Sequence, residues 1–176
     1  MNIWLKELSL EDGKEYYDLL IELSSYPEAY ARPVPDDFEY DEFMDFKRTR
    51  IRMNNDDNLP KGVMPTTTYW VMNGEEPIGY GTIKHKIDPN KPGGHFGLCL
   101  KREYQNKGIG KTVSDLMSEI AYNDLGIDEV IYTSKSVNEQ SKRSVAKIGG
   151  KFIGERDGYC FYKVNLKEKY ANERNI

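Results

Sequence analysis

Residues 105–112 read QNKGIGKT, and the closing Gly110-Lys111-Thr112 is the ending of a loop that wraps nucleotide phosphates. A loop of that kind needs Gly-x-x-x-x-Gly-Lys-[Ser/Thr], because the first glycine lets the chain curl around a phosphate. Gln105 stands in that first place. The dinucleotide fingerprint Gly-x-Gly-x-x-Gly fails too, since Gly108 and Gly110 are followed by Val113 where a third glycine is needed. What remains is Gln-x-x-Gly-x-Gly, set between a strand and the first turn of a helix. A helix start leaves backbone N–H groups without partners, and the macrodipole adds roughly half a positive charge there. Gly108 and Gly110 remove side chains that would hold an anion off those donors. Lys101, Arg102, Lys107 and Lys111 flank the turn in a chain whose net charge is −4. Donors strung along a turn fit a diphosphate better than a single phosphate. A plain strand-to-helix turn with solvated lysines is the competing reading.

The elements around the turn follow from periodicity. Residues 2–8 predict a first strand, and Leu10, Tyr16, Leu19, Leu20 and Leu23 lie at helical spacing after it. A second helix is predicted over 38–52, with Phe38, Phe43 and Phe46 buried, then a polar loop over 53–65. Residues 66–72 and 77–87 predict a hairpin through Asn73-Gly74. A turn through Pro89, Pro92, Gly93 and Gly94 leads to a fourth strand, 95–101. Ile109, Val113, Leu116, Met117, Ile120 and Ala121 form one face of a long helix ended by Gly126. A strand at 128–134, a short helix over 138–148 and a final hairpin through Asp157-Gly158 complete the chain. The fold class expected is α/β, with a mixed, mostly antiparallel sheet and a strand–helix–strand crossover over 95–134.

Bulk properties narrow the function classes. A chain of 176 residues with 38% hydrophobic and 31% charged residues is expected to form one globular domain over 1–176. The net negative charge argues against nucleic acid as a partner. Cys99 and Cys160 lack Cys-x-x-Cys spacing and read as reduced core thiols. No charged-then-apolar leader and no apolar run of membrane length is visible, so a cytoplasmic protein with no membrane partner is expected.

Two blocks then carry a resemblance. The first is Gln105-Asn106-Lys107-Gly108-Ile109-Gly110, preceded by LCLKREY; the second is NEQSKRSVAKIGGKF, residues 138–152. In this order and on these elements they resemble the core of the GCN5-related N-acetyltransferases, the GNAT family. PTTTYWVM before the hairpin and GGHFG at 93–97 further resemble a group of uncharacterised bacterial acetyltransferases that points to no substrate. The resemblance implies a GNAT-like sheet whose central β-α-β crossover binds acyl-CoA. It implies acetyl-CoA as acyl-donor substrate, an amine acceptor on a small molecule or peptide, and no metal. A monomer or homodimer is expected.

Residue by residue, the resemblance implies that Leu98, Cys99 and Leu100 offer backbone groups to the pantetheine arm and the acetyl carbonyl. Backbone donors from Gln105, Asn106, Lys107, Gly108, Ile109, Gly110, Lys111 and Thr112 would hold the diphosphate. Asn138 would meet the pantetheine amides, although Ser136-Val137-Asn138-Glu139 also has capping-box spacing. Two catalytic side chains common in the family are absent. Val145 stands where many members have a Tyr acid, and Gly94 stands where histone-directed relatives have a Glu base. His95, beside that place and with an ordinary pKa of about 6.5, is the candidate base; strand alternation would turn it away from Leu98 and Leu100 unless a bulge re-aims it. Tyr80, Tyr159 and Tyr162 are alternative acids. Asp36, Asp37, Glu39, Asp41, Glu42 and Asp45, in the stretch 26–46 that would frame the acceptor, offer negative potential to a cationic amine. A non-catalytic acyl-CoA-binding or sensing module is the alternative function, and longer acyl donors remain open. A nucleotide phosphotransferase is the third reading, opposed by Gln105.

Overall fold

Residues Thr66–Met72 are buried without a break, the signature of a strand covered on both faces. In the computed structural model this segment is central to a four-stranded antiparallel sheet. The structure describes residues 1–26, 32–55, 59–88, 91 and 93–171. The expected acceptor stretch, the loop 53–65 and the turn through Pro89 and Pro92 lie partly outside the described residues.

The elements in order are β1 (Ile3–Glu7), α1 (Lys14–Ser24), α2 (Phe43–Arg52), β2 (Thr66–Asn73), β3 (Glu76–Lys84), β4 (Phe96–Leu100), α3 (Ile109–Asn123), β5 (Glu129–Lys135), α4 (Glu139–Lys147), β6 (Lys151–Arg156), β7 (Tyr159–Asn165) and α5 (Leu166–Ala171). The expected helix over 38–52 starts late, because Glu39 and Glu42 cap a 3-10 turn over Tyr40–Glu42 first. Helix α5 was not expected from the sequence. It packs Leu166 and Tyr170 into the core and stacks Tyr170 on Tyr122 of α3, ring centroids 5.4 Å apart.

Two apolar layers cover the large sheet. Leu19, Leu20 and Leu23 of α1 pack with Trp70 and Tyr80 on one face. Val113, Met117 and Ala121 of α3 pack with Val71, Ile83 and Leu100 on the other. The hairpin between β6 and β7 turns at Asp157-Gly158 with φ of 53° and 77°, a pair of left-handed residues suited to a two-residue turn.

The expected α/β fold with mostly antiparallel strands is present, its strands divided between two sheets. The strands form two sheets, β1-β2-β3-β4 and β5-β7-β6, and every strand ladder is antiparallel. Among the described residues, β4 and β5 meet where the start of β4 reaches the middle of β5. There the contacts step in the same direction, His95 to Ile131 and Phe96 to Tyr132, so the two run parallel before they part.

Candidate functional site

The site begins where the two sheets meet. Gly94 lies so close to β5 that an added Cβ would sit 2.3 Å from the Ile131 carbonyl oxygen. Only glycine fits, and no carboxylate could be mounted there. At His95 the backbone N–H donates to Ile131 O at 2.8 Å, and the His95 carbonyl accepts from Lys84 N–H at 2.7 Å. The His95 ring takes the remaining bond, Nδ1 accepting from Ile131 N–H at 2.9 Å. An imidazole therefore replaces one rung of a parallel ladder.

This geometry bears on His95 as a base. The lone pair a base would use is engaged by Ile131 N–H, and the neutral ring carries its proton on Nε2. His95 is buried, and burial pushes its pKa down, with the Lys84 charge adding to the effect. The position suits a residue that joins two half-sheets.

Past His95 the strands diverge, and among the described residues their facing edges do not pair with each other. The bonds Lys84 N–H to His95 O and Lys101 N–H to Ile78 O fix the phase of the β3–β4 ladder. Antiparallel alternation then turns the backbone of Gly97 and Cys99 toward β3, and that of Leu98 and Leu100 toward the gap. By the same argument, Leu166 N–H to Asp128 O and Ser136 N–H to Gly158 O turn Val130, Tyr132 and Ser134 toward β7. Thr133 thus faces the gap with Ile131. Among the described residues, no hydrogen bond crosses from β4 to β5 beyond His95. The result is a V-shaped slot edged by peptide groups. Of the three β4 residues anticipated, Leu98 and Leu100 face it, while Cys99 is paired to Tyr80 of β3.

The glycine turn sits at the open end. Gln105 Nε2 donates to Leu100 O at 2.9 Å and ties the turn to the end of β4. Asn106 and Gly108 adopt positive φ, 59° and 80°, which swings the chain into α3. The N–H groups of Gln105, Lys111 and Thr112 are engaged within the turn, on Arg102 O and Gly108 O. Among the described residues, those of Lys107, Gly108, Ile109 and Gly110 meet no protein acceptor. A Cβ added at Gly108 or Gly110 would meet nothing within 4 Å, so the space over the donors is open.

The four neighbouring cations divide. Lys101 pairs with Glu76 at 3.1 Å and Lys111 with Asp115 at 2.6 Å. Lys107 lies over the Tyr104 ring. Arg102 stacks on Tyr26, whose hydroxyl accepts from Arg102 N–H at 3.2 Å and donates to Glu22. This clamp between α1 and the turn was not legible in the sequence, because its partners are 76 residues apart.

Asn138 caps α4, its Oδ1 accepting from Ser141 N–H at 3.0 Å. Ser136 instead donates to Glu155, so the capping box does not form. Val145 is core, packed so tightly that a Cβ at Gly150 would lie 2.4 Å from it. Among the described residues the buried Tyr80 hydroxyl meets no hydrogen-bond partner, and desolvation raises its pKa. Asp36 pairs with Arg32 and Asp45 with Arg48, both in exposed positions. Cys99 and Cys160 are not joined in a disulfide. Among the described residues there is no metal-binding cluster, and no helix is long and apolar enough to cross a membrane.

A family model described as an acetyltransferase (GNAT) domain matches residues 2–151. The fold is similar to that of Campylobacter jejuni N-acetyltransferase PseH solved with acetyl coenzyme A, at 15% identity and TM-score 0.64, covering 93% of this chain and 98% of that one. It is also similar to mutant forms of the Vibrio cholerae spermidine/spermine N-acetyltransferase SpeG, at 15% identity and TM-score 0.65, covering 98% and 99%. Salmonella typhimurium yncA, a putative acetyltransferase solved with acetyl-CoA, gives 12% identity and TM-score 0.62, covering 96% of each chain. No curated protein sequence matches. With the model spanning most of its length, the chain belongs to the GNAT acetyltransferase family.

Proposed function

We propose that the protein is an acetyl-CoA-dependent N-acetyltransferase acting on an amine of a small molecule or peptide. The observation that carries this reading is the pairing of an unpaired, peptide-edged slot with a turn of free N–H donors at its mouth. A pantetheine arm carries amides that can bond to Leu98, Leu100 and Thr133 as an added strand would. Its diphosphate reaches the N–H groups of Lys107 to Gly110, where the helix dipole favours negative charge. Gln105 positions the turn through Leu100. Asn138 contributes its side-chain amide, and Lys107 adds positive charge.

The chemistry needs little more than alignment. An alkyl amine is protonated near neutral pH, so a proton must leave before its lone pair can attack. We assign that proton to water in the slot, because Gly94 and Val145 carry no acid–base group and His95 Nδ1 is engaged. The neutral nitrogen attacks the thioester carbonyl, forming a C–N bond. A backbone N–H of β4, that of Leu98, stabilises the oxyanion. The C–S bond then breaks, the thiolate of CoA departs, and the nitrogen's second proton passes to water. Holding the reactants in line supplies much of the rate. We place this activity in the cytoplasm, in a single domain over 1–176.

Release of free CoA thiol from acetyl-CoA with a panel of polyamines, amino sugars and peptide amines tests the reading. Amine-dependent release is expected. CoA binding without release under any amine would assign the chain as an acyl-CoA-binding module instead.

A further inference from the structure

A cavity of about 150 Å³ lies near the Lys84 end of β3, and its lining includes the apolar Met53, Met64 and Ile87 and the charged Lys84, Asp88 and Lys91. Leu100, at the mouth of the acyl slot, pairs with Gly79, five residues and about 17 Å back along β3. The cavity therefore lies away from the mouth of the slot, at the end where His95 joins the two sheets.

Among the described residues its cations outnumber its carboxylates. Lys84 is half-buried, and among the described residues its ammonium has no carboxylate or hydrogen-bond partner. Lys91 reaches Asp88 only at 3.8 Å. Among the described lining residues two cations stand against one carboxylate, a balance that suits a monoanion. The backbone at Gly62 and Gly93 comes close to these heads: a Cβ there would stand 3.4 Å from Lys91 Nζ and from Lys84 Nζ respectively. Both glycines have positive φ, 85° and 135°, so side chains are disfavoured at both places. The volume matches that of an apolar protein cavity able to hold benzene, about 150 Å³. A half-buried ammonium gains from a paired anion, and the two methionines supply an adaptable apolar wall.

We propose that this cavity is a binding site for a small monocarboxylate with an apolar body about the size of one benzene ring. Its carboxylate pairs with Lys84, and its body lies against Met53, Met64 and Ile87. The site also touches the apex of the slot, because Lys84 N–H donates to His95 O.

Full-length protein labelled at the methionine methyls, with signals assigned through Met53→Leu and Met64→Leu, provides the test by NMR titration. Benzoate should shift the Met53 and Met64 signals saturably, with or without saturating acetyl-CoA. Benzamide, the same shape without the charge, should bind about tenfold more weakly or worse. Lys84→Met should weaken benzoate to the same degree, and Lys84→Gln serves if that variant does not fold. Equal binding of benzamide, unchanged binding by the Lys84 variant, inorganic phosphate matching benzoate, or no saturable shift would each overturn the proposal. These signals report on the cavity whether or not the chain turns over acetyl-CoA, so failure here and failure of the acetyltransferase reading are distinct results.

Discussion

His95 bonds to both sheets through its backbone and to β5 a second time through its ring. Replacing it with Leu leaves the Ile131 N–H without its acceptor and should cost about 1–3 kcal/mol of stability. The pH dependence carries a sign. Burial holds the native pKa below the unfolded value of about 6.5, so the unfolded chain binds more protons between the two. The stability from His95 is complete above about pH 6.5 and is lost as pH falls through the lower native value. The Tm advantage of the natural chain over His95→Gln should therefore narrow on acidification, read by thermal denaturation over a pH series. A constant gap would contradict the ring bond. Asn138 offers a cleaner division. Asn138→Ala should cost about 1 kcal/mol through the lost cap, whereas Asn138→Asp keeps the cap. If the side-chain amide also holds pantetheine, Asn138→Asp should raise the KM for acetyl-CoA with Tm nearly unchanged. Unaltered KM would leave Asn138 as a helix cap alone.

At the scale of elements, the start of α3 is where stability and function pull apart. Gly110 lies in the first turn of the helix with open space around it. Gly110→Ala should stabilise the fold by about 0.4–1 kcal/mol, since alanine restricts the unfolded chain and no clash opposes it. The same methyl would stand over the N–H donors proposed for the diphosphate, so KM for acetyl-CoA should rise while Tm rises. A variant with higher Tm and unchanged KM would remove the turn from the site. The turn was legible in the sequence because two glycines and a helix start are local signals. The split between β4 and β5 has no local signal, because alternation assigns faces and does not say which edge finds a partner. The ring of His95 in place of a ladder bond has no sequence pattern. Nor did the sequence show that Lys101 and Lys111 have acidic partners, and Glu76 is 25 residues from Lys101. Helix α5 escaped because six residues carry too few turns to show a period.

At the scale of the whole molecule, the element order through β7 followed from periodicity and turn residues. The division into two sheets depends on contacts between Gly94, His95 and Ile131 that only the folded chain brings together. That division is also what gives the molecule its function in this account. A continuous sheet would have no free peptide edges to offer a pantetheine arm. The most direct test is the Tm of the purified chain alone and with acetyl-CoA, free CoA or ATP at matched excess. A ligand at about 100 times its Kd stabilises the native state by about 2.7 kcal/mol, enough to raise Tm by a few degrees. A rise with both CoA forms and none with ATP is expected. No rise with either CoA form would contradict it and leave the glycine turn as an ordinary helix start.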